Sequence, residues 1–248
     1  KAAHNWREFL IEIGTIICGI LIALGLEQMV TAFEWSRKVS ETREALALEL
    51  AENLGKAQTR IWLASCTDQR LDALAGVIDR AARTGALPPL PTPERPPYYS
   101  WGTGVWSSAL SAQTASHLPG EQLRAYSRFY QVLDRIAATE PQEEAAWTTL
   151  FGLAGPGRPF DAEDARVYRH AIGEARQFNG LISGFGVRAQ QVVDAYHLTY
   201  DPRVFADRTA SNRKGALVCG APTGTPPATY GAAPGAGFAQ YARGHPTK

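Results

Sequence analysis

The side chains best equipped for chemistry are few, and their spacing argues against a reaction. His170 and Glu174 stand four apart on a helical stretch and could share a metal, but two ligands alone do not close a site, and a solvated polar pair is the simpler reading. Asp194, His197 and Asp201 cluster at a helix end, where a histidine beside the last carbonyls complements the helix dipole. His4, His117 and His245 fall in no metal-ligand spacing, and HExxH and CxxCH are absent. Ser107, Ser108 and Ser111 have no assigned base, and no GxSxG accompanies them. "WGTGVW", residues 101–106, has two glycines but neither a lysine nor a preceding strand, so it reads as a turn entering a helix rather than a phosphate loop. No catalytic residue, metal ligand or cofactor site is expected, and the chain is not expected to be an enzyme. The formal net charge of +1 gives no footprint for nucleic acid.

The cysteines say more. Of three, Cys18 lies in an apolar stretch, leaving Cys66 and Cys219 as a widely separated pair. With no CxxC and no metal spacing, such a pair suits one disulfide in an oxidising compartment.

That apolar stretch is "FLIEIGTIICGILIALGLEQMV", residues 9–30. It gives roughly 33 Å of helix, enough for a hydrocarbon core of about 30 Å. Glu12 and Glu27 stand near its ends, where a carboxylate reaches toward headgroups at reduced cost. Trp6 and Trp35 flank it as interfacial anchors. At 100° per residue, Glu12, Thr15, Gly19, Ala23 and Glu27 share one face, and its small members would let another helix approach closely. Lys1 and Arg7 nearly balance Arg37 and Lys38, so the charge count does not orient the span. The cysteine pair does: residues 1–8 are expected in the cytoplasm, 9–35 as the transmembrane helix, and 36–201 in the periplasm of a bacterium.

"GILIALGLEQ", preceded by "FLIE" and followed by an aromatic and a charged helix, resembles the N-terminal signature of uncharacterised bacterial single-span membrane proteins. The resemblance covers about thirty residues. It implies a helical extracytoplasmic region and supplies no catalytic residues.

Beyond the span the pattern stays helical. Leu46, Leu50, Leu54, Ala57, Ile61 and Ala64 recur at steps of three and four, continued by Leu71, Leu74, Ile78 and Ala81. One helix therefore runs from the membrane to about Ala82. Prolines between 87 and 98 make an extended connector. Residues 104–117 read as one short helix, and 119–139 as another with Leu123, Tyr126, Tyr130, Leu133 and Ala137 on one face. Pro141 fits the first position of a third. Asp161 fits an N-cap, with Glu163 and Asp164 at the positive dipole end. Val167, Ala171, Ala175, Phe178, Ile182, Phe185, Ala189, Val192 and Tyr196 mark a second long helix ending before Pro202. The expectation is an all-α fold, a helical bundle without a sheet.

Residues 202–248 change character. They hold six basic residues against one acid, with much Gly, Ala and Pro, and read as an extended basic arm anchored by Tyr230, Phe238 and Tyr241. The expected role is an accessory or scaffolding subunit of a larger inner-membrane complex, whose partners are the lipid bilayer and other integral membrane subunits. The alternative is a periplasmic ligand-binding or sensory module holding a small molecule among Trp101, Trp106 and Trp147. That alternative needs a separate output partner, so a small-molecule ligand is not the first expectation.

Overall fold

The computed structural model describes residues 2–220, with backbone alone for 2–5. Helix α1, Ala2–Thr84, is a single element of 83 residues, about 125 Å long. α2 is Gly104–Ser111, α3 is Gly120–Phe151, α4 is Ala162–Tyr196 and α5 is Pro202–Lys214. The fold is all-α, as its periodicity requires. A two-residue antiparallel pairing of β1, Ala86–Leu87, with β2, Arg158–Pro159, pins the connector to the turn between α3 and α4. No alternating pattern foretells it, because two residues are too few to carry a period.

The outer part of α1 is the spine of a three-helix bundle. α3 runs alongside it and α4 returns antiparallel, so the apolar stripes of all three meet in two core clusters. The first joins Leu46, Leu50 and Leu54 to Phe129, Leu133, Ile136, Ile182 and Ala189. The second joins Leu71 and Ile78 to Trp147, Leu150, Ala171 and Ala175. α4 starts at Asp161, whose carboxylate accepts from Asp164 N while Asp164 reaches back to Asp161 N, a capping box. Its buried stripe is rotated slightly from the expected one. Tyr168, Asn179 and Gly186 lie inside, whereas Val167 is exposed. A Cβ on Gly186 would stand 3.1 Å from Ile61 and 3.2 Å from the Ala57 carbonyl, so the bare backbone there lets α4 approach α1.

Three expectations are corrected. Pro141 does not start a helix; it lies inside α3. Tyr130, Leu133 and Ile136 before it, and Ala146, Trp147 and Leu150 after it, are buried in register, and this continuous burial outweighs one lost hydrogen bond. Residues 104–117 are not one helix. Gln113 takes a left-handed φ of 58° between α2 and a short 3-10 turn at Thr114–His117, which turns Ala115 and Leu118 into the first core. Residues 202–214, assigned to an extended arm, form α5. Asp201 caps it through Arg203 N and Val204 N, Pro202 occupies its first turn, and Arg213 and Lys214 suit its last. α5 lies against α1 at Gly55, where a Cβ would meet Arg208 at 2.9 Å. Tyr230, Phe238 and Tyr241 fall outside the described residues.

Candidate functional site

The apolar stretch is the first surface to explain. Every residue from 15 to 34 is exposed, including Ile20 at 54% and Phe33 at 73%. Fourteen large apolar side chains between Phe9 and Phe33 are in this state. At about 1.5 kcal/mol or more for each, removing them from water would be worth on the order of 20 kcal/mol. By length and composition this helix could cross a membrane. Thr15 returns its hydroxyl to the Ile11 carbonyl at 2.8 Å, which leaves no unpaired donor there. Glu12, Thr15, Gly19, Ala23 and Glu27 are all exposed, and nothing lies within 4 Å of a Cβ built on Gly19.

Where the stretch ends, the domain begins at once. Trp35 stacks on His117 with ring centroids 3.9 Å apart, and Lys38 Nζ lies 4.9 Å over the same indole. Trp35 is thus a joint between α1 and the 3-10 turn, in contrast to Trp6, which is 61% exposed. Glu27, Gln28, Trp35, Arg43 and His117 surround a groove of about 770 Å³ at this junction.

A buried polar seam fixes the connector. Asn53, Lys56 and Arg60, spaced by three and four along α1, catch carbonyls of Gly102 at 2.6 Å, Ser100 at 2.7 Å and Pro97 at 3.4 Å. The chain therefore runs back along α1. Eighteen extended residues at about 3.1 Å each match the roughly 52 Å of helix between Glu49 and Thr84. Glu49 finishes the ladder by accepting from Val105 N, Trp106 N and the Tyr130 hydroxyl. Burial and this carboxylate push the Tyr130 hydroxyl pKa far up.

Beneath the seam Arg60 donates to both oxygens of Glu143 at 2.7 Å, with both side chains almost wholly buried. Glu140, one turn earlier, accepts from Trp101 Nε1 at 2.9 Å and Tyr99 N at 3.4 Å. Burial raises its pKa to about 7 against the opposing pull of those donors and of Arg60. Burial likewise raises Glu143, opposed by Arg60. Polar residues at 49, 53, 60, 140 and 143 have no motif, and their role is invisible in sequence. The one available signal was the spacing of Glu49, Asn53, Lys56 and Arg60 by three and four on one face of α1. Trp101, Trp106 and Trp147 do not form one pocket: Trp101 binds Glu140, Trp106 stacks on Tyr130, and Trp147 fills the second core.

At the other end of the chain Cys66 and Cys219 stand at disulfide distance, S–S 2.11 Å. They draw Ala216 and Val218 into a small cluster with Leu63 and Trp62. Cys18 is free and exposed. His170 lies 3.4 Å from Glu174 in an exposed pair, His197 is the left-handed cap of α4, and Asp194 accepts from Gln190. Among the described residues no three His, Cys, Asp or Glu side chains gather as a metal site. Comparison with protein-family models, with curated proteins and with solved structures returns no match.

Proposed function

We propose that this chain is a non-enzymatic accessory or scaffolding subunit of a larger bacterial inner-membrane complex, with residues 1–8 cytoplasmic and the bundle periplasmic. The observation that carries the reading is the continuity of α1. An uncovered apolar segment and the spine of the bundle are one helix, so a partner that grips the segment also fixes where the bundle stands. The Gly19 and Ala23 face offers close backbone approach to another span. The Cys66–Cys219 pair supports an oxidising compartment. Trp6 then lies at one interface, and Trp35 with Lys38 at the other.

The test uses the full chain from its native membrane. It is expected to stay in the pellet after a carbonate wash and, in mild detergent, to migrate with one stoichiometric complex. Gly19→Leu with Ala23→Leu should release it while the bundle stays folded. Migration as a monomer, or release by carbonate, would end the proposal. The competing reading, a periplasmic ligand-binding or sensory module, draws on a cavity at the far end of α1.

A further inference from the structure

About 60 Å along α1 from the end of the apolar stretch, counting forty residues from Val30 to Arg70, lies a cavity of about 890 Å³. Its walls are α1, the connector at 90–94, and the chain from Arg213 to Gly220. Trp62, Leu74, Val77, Leu90 and Leu217 make it largely apolar. Into this setting the fold places Arg70, which is 8% exposed. Its Nη2 donates to the carbonyls of Gly220 at 2.6 Å and Val218 at 3.4 Å, and no carboxylate among the described residues pairs with it. Buried charges are ordinarily paired, and carbonyl dipoles do not cancel a guanidinium charge. Arg80 and Lys214 add two exposed cations to the lining, also without carboxylate partners among the described residues. Two acids, Asp72 and Glu94, also line the cavity, and Asp72 is bound to Arg176.

From this we infer that the cavity is a binding site for a small organic anion, a carboxylate carried on an apolar or aromatic body. Arg70 receives the carboxylate at the floor, Arg80 and Lys214 attract it at the rim, and Leu74, Val77 and Leu90 cover the body beside Trp62, whose ring carries the Arg213 guanidinium. The volume lies in the range of small-molecule sites, about 300–1,000 Å³, and a guanidinium fork matches a carboxylate in shape. A bilayer held at residues 9–30 is too distant for a lipid headgroup to be the occupant. Residues 221–248 contain no Asp or Glu, so no side chain of that segment supplies the anion. The wall from Ala216 to Gly220 is fastened by Cys219 to Cys66, which makes the site dependent on that bond. The inference goes beyond the scaffolding role and does not rest on it.

The experiment is titration calorimetry of the full chain in lipid nanodiscs with 3-phenylpropionate and, as the neutral twin, 3-phenylpropanamide. Binding of the acid with a Kd of about 1 mM or tighter is expected. The amide should bind about tenfold more weakly or worse, because it lacks the charge. Arg80→Gln with Lys214→Gln, both at exposed positions, should weaken the acid several-fold without disturbing the fold. Arg70→Met should abolish binding, with circular dichroism reporting whether the bundle persists. Absence of binding to the wild-type chain would overturn the site, as would equal binding of acid and amide or an unchanged affinity in the rim variant. Binding of an acidic peptide in place of the small acid would overturn it too, and would make this face a protein contact.

Discussion

At the scale of single residues, Arg60, Glu140 and Glu143 differ in what their burial demands. Arg60 and Glu143 are joined by two short bonds, though Arg60 Nε has no hydrogen-bond partner; removing either would leave a buried charge alone, typically a loss of about 3–5 kcal/mol. Glu140 has no such partner, and its Oε1 is buried without a hydrogen bond. Its pKa is raised to about 7 in the folded chain, against an ordinary value near 4.5. The folded state therefore holds this proton more tightly than the unfolded one. The resulting stability is fully present below about pH 4.5 and is lost as pH rises through about 7. The loss amounts to at most about 3 kcal/mol. Glu140→Gln keeps an oxygen for Trp101 and Tyr99 and removes the titration. Urea unfolding midpoints of the wild-type chain should fall between pH 5 and pH 8 more steeply than those of the variant. Parallel profiles would show that Glu140 does not titrate in this window.

Among the elements, α3 carries a local contradiction that its packing overrides. Pro141 lacks the N–H that would bond to Ala137 and disfavours helix at Glu140. Thr139 donates to the Arg135 carbonyl at 2.7 Å and Gln142 to that of Ala138 at 3.0 Å, neither of them the Ala137 acceptor. What holds the helix through Pro141 is the burial of Leu133 and Ile136 on one side and Trp147 and Leu150 on the other. Pro141→Ala should restore the missing bond and raise the stability of the chain by about 1–3 kcal/mol, read as an upward shift of the melting temperature. A lower melting temperature would mean that the proline ring packs against something the helix needs. The connector shows the opposite relation. Its prolines hold it extended, and Asn53, Lys56 and Arg60 then find their carbonyls at matching intervals.

For the whole molecule, the Cys66–Cys219 pair ties the far end of the described chain to the middle of its spine, across 153 residues. By the chain-entropy account, a loop of that length contributes up to about 5 kcal/mol, and measured bridges commonly give about 2–4 kcal/mol. Cys66→Ser with Cys219→Ser should lower stability by that smaller amount. Hydrogen exchange should become faster from Arg203 to Gly220, where α5 and the following turn lie on α1. Non-reducing peptide mapping of native-membrane protein should recover the bridged peptide. Two free thiols there would remove both the constraint and the argument for an oxidising compartment.

Local pattern alone determined the all-α class, the apolar stretch, the single spine continuing from it, the Asp161 start of α4 and the pairing of Cys66 with Cys219. Each depends on period, capping chemistry or elimination, which a short window or a count contains. Tertiary structure decided the rest. Pro141 stays helical because residues far away in sequence bury both of its flanks. α5 forms where composition read as an arm, because Gly55 leaves room for it on α1. The polar seam of Glu49, Asn53, Arg60, Glu140 and Glu143 exists only once the connector folds back, since helical spacing on α1 and on α3 does not say that the two sets meet. Arg70 is likewise unremarkable on a helix of mixed composition, and it becomes a buried cation with no carboxylate partner among the described residues only when the Cys219 turn closes over it. Burial of a charge is a property of what surrounds it, and the surroundings of Arg70 are 148 and 150 residues away.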